Sequence, residues 1–271
     1  MKTSNHLLRR LTAALLAAVL ALIIALPVFA SDDGDTIYIN SVSDLLSLAR
    51  NCAYDQWSVG KTVILQKDLS LEGMLWEPIP SFSGQFKGNG HTISDLTITG
   101  QYSPAGLFGI VEEQGSIESL SVRGVVSVSD SADTTTGGIV GINHGTLISC
   151  QFTGVVTGDS EVGGIVGRNE SEGTIDHSTA RAIVTGKSST GGIAGYNLGA
   201  ITGCTNVGSI NTEYPEASLD TDGFTAKMVD YINNKMAAAN DDATNSVTNV
   251  ATDTGGIAGR SSGMILTSVN T

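Results

Sequence analysis

The chain repeats itself, and the repeat is short. Gly137-Gly-Ile-Val-Gly141, Gly163-Gly-Ile-Val-Gly167, Gly191-Gly-Ile-Ala-Gly195 and Gly255-Gly-Ile-Ala-Gly259 are copies of one segment, and Ala105-Gly-Leu-Phe-Gly109 is a degenerate earlier copy. The first three full copies are spaced by 26 and then 28 residues. A second short run follows each one and a third follows in the complete copies, such as Gly145-Thr-Leu and Gly154-Val-Val-Thr, then Gly173-Thr-Ile and Ala182-Ile-Val-Thr. Three short strands and three turns fill such a period. One unit of that size cannot bury its apolar face alone, whereas a stack of units buries a continuous core. Corresponding strands then lie about 4.8 Å apart along the stack. The connections are too long for hairpins and suit parallel pairing between successive units.

Composition agrees with this reading. Glycine makes up 33 of 271 residues and charged residues only 15%, against a usual charged share of about 25%. That balance disfavours a helical protein, and five prolines without a three-residue glycine period exclude collagen. The expected fold is all-β: a parallel, right-handed β-helix solenoid with an N-terminal cap and a helical insertion.

The expected organisation has five parts. Residues 1–30 read as a secretory signal peptide, with Lys2, Arg9 and Arg10 before an apolar run and Val28-Phe-Ala30 as the cleavage site. Residues 31–83 read as a cap with the first coil. In them Ser43 and Asp44 precede Leu45, Leu46, Leu48 and Ala49, which predicts a short capped amphipathic helix. Residues 84–211 are the β-helix repeats. Residues 212–251 interrupt them, because the spacing between the last two copies jumps to 64. Within this insertion Phe224, Met228, Ile232 and Met236 recur four apart, on one face of a predicted helix. Residues 252–271 form a further, incomplete repeat. The unfinished repeat and the lack of a sorting signal make an N-terminal fragment of a larger surface protein one reading, with C-terminal domains still to come.

Charge narrows the partners. The chain carries −13, and removal of Lys2, Arg9 and Arg10 takes it to −16. Such a field repels nucleic acid and anionic lipid. No second apolar run is long enough for stable membrane insertion after signal cleavage.

The repeated positions read as structural. Gly138, Gly164, Gly192 and Gly256, and likewise Gly141, Gly167, Gly195 and Gly259, suit sharp corners that need positive φ or close backbone approach. Asn143, Asn169 and Asn197 recur just before a turn, where asparagine tolerates the left-handed region and can hydrogen-bond along a stack. Cys150 and Cys204 share one repeat position, with Ser178 between them, Leu120 before and Ser268 after. Two coils separate them, about 9.6 Å. A disulfide needs Cα atoms within roughly 7 Å, so these two are expected to stay unpaired in an inward-facing slot. No metal-ligand spacing of cysteine and histidine is present, and no cofactor motif.

The run Gly137-Gly-Ile-Val-Gly-x-Asn-x-Gly-Thr-Leu-x-x-Cys150, with its copy at 191–204, resembles the GLUG-motif repeats of bacterial exported proteins. The likeness runs from residue 105 to the end apart from the insertion. It implies a β-helix and a secreted or cell-surface, adhesin-like structural protein that presents a binding surface to a host or cell-surface protein or a glycan. It transfers no catalytic residue. The competing function is a polysaccharide lyase or glycosidase, which needs paired carboxyl groups. Asp133 and Glu161 are the candidates, because both shortly precede the Gly-Gly corner; the bland alternative is that such acids only solubilise turns.

Overall fold

In a computed structural model of the chain, residues 35–54, 56–128, 134–211 and 252–271 are described. The signal-peptide and insertion expectations, and Asp133, lie outside these residues. Among the described residues the protein is an all-β parallel solenoid of about six turns with one short helix. Every strand pairing given for it is parallel.

The sheets run the length of the stack. A narrow sheet of eight strands starts at Thr36–Ile39 and Thr62–Leu65 and continues through Gln85–Lys87, Ser116–Glu118, Thr146–Ile148, Thr174–Asp176 and Ala200–Thr202 to Met264–Leu266. A wide sheet contains the longest strands, among them Thr92–Gly100, Ser121–Val128, Gln151–Thr157 and Thr179–Thr185. An asparagine sheet of six strands comprises Ile79–Phe82, Phe108–Val111, Val140–Asn143, Val166–Asn169, Ala194–Asn197 and Ala258–Ser261.

A fourth sheet departs from the three-strand expectation. It is made of short strands, Thr136–Gly137, Val162–Gly163, Ser188–Gly191 and Thr252–Gly255. The Gly-Gly-Ile run is therefore not one strand but a bend between two. The cause is steric. A Cβ on Gly137 would strike the Val140 carbonyl oxygen, and one on Gly163 the Val166 carbonyl oxygen. The same holds for Gly191 against Ala194 and Gly255 against Ala258. These glycines allow the chain to fold back on itself at contact distance.

The core fills the inside of the stack. Ile117, Leu147, Ile175 and Ile201 form one inward column, each 0% exposed and each in register with the next. Phe82, Phe86 and Phe108 pack together in the N-terminal coils, with ring centroids 5.4 to 6.3 Å apart. Burial of such columns is the main force holding the coils together, at about 1.5–3 kcal/mol per large apolar side chain.

The helix α1 spans Val42–Asn51 and buries Leu45 and Leu48. Its N-cap is Ser41, not Ser43. The Ser41 hydroxyl accepts from the Asp44 backbone N–H at 3.2 Å, and the Asp44 carboxylate accepts from the Asn40 N–H at 3.0 Å and the Ser41 hydroxyl at 2.9 Å. Those donors, the Asn40 N–H foremost, hold the Asp44 carboxyl below its ordinary pKa. Asp44 so stabilises the helix start twice, as a local acceptor and as a negative charge near the positive end of the dipole.

Candidate functional site

The asparagine column is the most ordered polar feature. Asn143, Asn169 and Asn197 are each 0% exposed. Asn143 Nδ2 donates to Asn169 Oδ1 at 2.8 Å, and Asn169 Nδ2 donates to Asn197 Oδ1 at 2.8 Å. Asn197 Nδ2 continues to Ser261 Oγ at 3.1 Å. Each amide also donates to a carbonyl of its own turn, at Gly145, Gly173 and Gly199. None of the three residues has positive φ. The left-handed part of the sequence expectation is therefore corrected: these are strand residues whose side chains turn inward. A second, shorter rung joins Asn206 Nδ2 to Asn270 Oδ1 at 2.7 Å.

The left-handed corners lie elsewhere. Ser119, Ser149, His177, Gly203 and Thr267 all have φ between 46° and 61°. They occupy one column, between the narrow and wide sheets. Only Gly203 announces that conformation by residue type.

The cysteine slot is as the spacing requires. Cys52, Cys150 and Cys204 are free and buried. The Cys150 N–H donates to Ser178 Oγ at 3.1 Å, and the Cys204 N–H to Ser268 Oγ at 3.2 Å. Burial pushes the Cys150 thiol up to about 12 and those of Cys204 and Cys52 up to about 11. Such thiols are poor nucleophiles, because the thiolate is the reactive form.

Glu161 lies beside the short corner strand Val162–Gly163 and is already engaged. Its Oε1 is 3.0 Å from Arg168 Nη1, and its Oε2 accepts from Thr135 Oγ1 at 3.0 Å. Arg168 Nε lies 2.7 Å from Glu170 Oε1 as well. The Arg168 guanidinium therefore sits between two carboxylates. Among the described residues the carboxyls whose pKa clearly moves are Asp44, Asp68 and Glu172, and all three move down. The Thr92 N–H and then His91 act on Asp68; the Ser171 hydroxyl leads at Glu172. None is in the posture of a proton donor, which needs a raised pKa. Among the described residues no three His, Cys, Asp or Glu side chains are gathered as a metal site.

The outward column of the asparagine sheet was not singled out by sequence reasoning. It holds Ser81, Ile110, Ile142, Arg168, Tyr196 and Arg260, one per coil. Tyr196 lies between two guanidinium groups, with Arg168 at 5.2 Å and Arg260 at 5.5 Å from the ring centroid. The signal was the residue between glycine and asparagine in each copy, which alternates with the two buried positions beside it.

Residues 158–185 match the GLUG motif. This coil is a GLUG repeat. Its four strands are Val162–Gly163, Val166–Asn169, Thr174–Asp176 and Thr179–Thr185, so the motif contains one full circuit of the solenoid. Two longer proteins are similar in sequence. The chain is 30% identical over 155 residues to halomucin of Haloquadratum walsbyi, which covers 52% of this chain and 2% of halomucin. It is 27% identical over 189 residues to a protein of Evansella cellulosilytica described as a Gly-rich membrane protein, covering 54% of this chain and 22% of that one. The chain thus spans a small part of the length of either relative. Among solved structures, a Bacteroides ovatus protein named for immunoglobulin A1 proteases superposes with a TM-score of 0.50 at 20% identity, over 64% of this chain and 58% of that one. That likeness concerns the fold alone. Among the described residues no helix is long and apolar enough to cross a membrane.

Proposed function

We propose that the chain is an exported structural protein of the cell surface whose GLUG solenoid presents a binding face. One observation carries this reading. Successive coils keep their inward residues and change their outward ones. In the copies before the last, the glycine, asparagine and isoleucine positions are buried. The outward column of the same sheet runs from Ile142 through Arg168 and Tyr196 to Arg260. A repeat that holds its scaffold and varies its surface suits recognition of a partner, either a glycan or a surface protein of a host or neighbouring cell. Tyrosine and arginine are the residue types that anchor such contacts. The names of the halomucin and membrane-protein relatives support a location outside the cytoplasm, as does the leader-like sequence of residues 1–30.

The experiment is a binding screen with the purified solenoid over glycan and surface-protein arrays, run beside a deletion strain tested for attachment. Tyr196→Ala should lower binding without unfolding the chain. The same glycan panel, assayed for reducing-sugar release, tests the enzymatic alternative. Turnover that disappears in Glu161→Gln would replace the binding reading with a catalytic one.

A further inference from the structure

The outer face of the wide sheet differs in chemistry from the rest of the chain. Its central strands, Ser121–Val128, Gln151–Thr157 and Thr179–Thr185, lie side by side in register. Val122, Val126 and Val128 belong to the buried core, and side chains alternate along a strand, so the residues between them face outward. Arg123, Thr153 and Arg181 form one outward row, and Val125, Val155 and Ile183 form the next. The rows on either side of these two carry only serine, threonine and glutamine. No outward position of the three strands is acidic, in a chain with 27 Asp and Glu against 14 Lys and Arg. Arg168 on the asparagine sheet is held between two carboxylates. Arg123 and Arg181 are instead exposed, and among the described residues neither has a hydrogen-bond or ion-pair partner. Two coils separate them, about 9.6 Å along the stack.

We propose that this face binds an extended acidic polysaccharide that runs along the stack and carries a carboxylate on alternate sugars. Burial argues against a protein surface as the partner. Val125 and Val155 are only 6% and 3% exposed, so the face has little apolar area left to bury, and protein interfaces rest on buried apolar and aromatic anchors. What it offers is hydroxyl and amide groups, such as those of Thr153 and Gln151, which can donate to and accept from a polyhydroxylated chain. Charge decides the rest. A guanidinium without a partner gains a charge-assisted, often bidentate pair when a carboxylate arrives. The spacing of Arg123 and Arg181 is the length of a disaccharide, so a polymer with one carboxylate on every second sugar meets both in turn. Duplex nucleic acid presents a charge about every 1.7 Å, far denser than this row, and the chain's −13 repels it. The site lies on a different sheet from Tyr196, and its failure would not touch the reading built on that residue.

Titration of the purified chain with hyaluronan, which has a carboxylate on alternate sugars, tests it. Hyaluronan with its carboxylates reduced to alcohols and polyglutamate are the comparison polymers. The expected result is binding to hyaluronan that weakens as salt rises. Reduction of the carboxylates should weaken it by about tenfold. Arg123→Gln and Arg181→Gln should each weaken it by at least about threefold, since each removes one charge-assisted contact. Both side chains are exposed, so neither substitution threatens the fold. Arg50→Gln on α1 makes the same change of charge away from the wide sheet and should leave binding unchanged. A chain that does not bind hyaluronan overturns the proposal. So does equal binding of the reduced polymer, or arginine variants that bind as Arg50→Gln does. Tighter binding of polyglutamate overturns it as well and makes the partner an acidic protein segment. Loss of hyaluronan binding in Tyr196→Ala, with none in the two arginine variants, overturns this site and leaves the face around Tyr196 standing.

Discussion

Asn143 and Asn169, one coil apart, are joined by a 2.8 Å hydrogen bond between side chains that solvent does not reach. The bond sets the vertical register of two coils by a polar contact in an otherwise apolar interior. It continues at Asn169 and Asn197, so the middle residue of the ladder is donor and acceptor at once. A polar network of this kind stabilises only when every member is satisfied.

Asn169→Ala should therefore cost more than either neighbour. It leaves the Asn143 amide with one acceptor fewer and the Asn197 carbonyl oxygen without its donor. Each buried group left unpaired costs about 1–3 kcal/mol, so a loss of about 2–4 kcal/mol is expected in urea unfolding. Ser261→Ala, at the exposed end of the ladder, should cost under about 1 kcal/mol. Equal losses at the two positions would mean that the ladder contributes nothing beyond local turn bonds.

The glycines should split into two classes. Gly163→Ala puts a methyl onto the Val166 carbonyl oxygen, which belongs to the backbone and cannot swing aside. A loss above about 3 kcal/mol is expected, at the level of severe overpacking. Gly203 has φ +61° and would place a Cβ 3.0 Å from the His177 imidazole, a side chain with room to move. The same corner holds Ser119, Ser149 and Thr267 in other coils. Gly203→Asn should then cost no more than about 1–2 kcal/mol, the ordinary penalty of the left-handed region. Thermal melts of the two variants decide between close approach and positive φ as the reason for each glycine.

The phenylalanine cluster gives a third contrast. Phe86 is fully buried and touches two other rings, with centroids 6.3 Å from Phe82 and 5.5 Å from Phe108. Phe86→Ala should cost about 3–5 kcal/mol, and Ile201→Val in the aliphatic column only about 0.5–1.5 kcal/mol. A small loss at Phe86 would place the weight of the N-terminal coils on α1 instead of on the rings.

The repeat was legible because its period is a covalent fact. Copies at 138, 164, 192 and 256 leave little choice but stacking, and the strand registers follow them. The cysteine geometry was legible for the same reason, since two coils of separation exclude a bond whatever the side chains do. What sequence could not give was direction. Asn143 precedes a turn, and turn propensity argued for a left-handed residue, yet burial and a partner one coil away decided its conformation. Ser119, Ser149 and Thr267 occupy the left-handed corner with His177 although serine and threonine are not types that favour it. There the tertiary stack fixes φ, and the cost of about 1–2 kcal/mol per residue is offset by pairing on both sides. Arg168, Tyr196 and Arg260 were not singled out, and the stacking of Tyr196 on Arg260 depends on which coils are adjacent across the insertion.

The buried thiols predict how stability depends on pH. Their folded values are about 12 for Cys150 and about 11 for Cys204 and Cys52, against 9.0 for an unperturbed thiol. Desolvation is the main cause at all three, because burial disfavours the thiolate. Between about pH 9 and pH 11 the unfolded chain has released these protons and the folded chain has kept them. The unfolded state then binds fewer protons, so stability falls as pH rises through that window and is undiminished below it. Each thiol contributes a slope of up to about 1.4 kcal/mol per pH unit. Cys150→Ser should remove its share of the slope at a cost of about 1 kcal/mol at neutral pH, since Ser178 and Ser268 already occupy equivalent positions. Other groups titrate in the same range, so the quantity to measure is the difference between wild type and variant in urea midpoints at pH 8, 9, 10 and 11. A difference that widens against Cys150→Ser as pH rises, or a Cys150 that reacts rapidly with a thiol reagent in the native state, would show that the slot faces water.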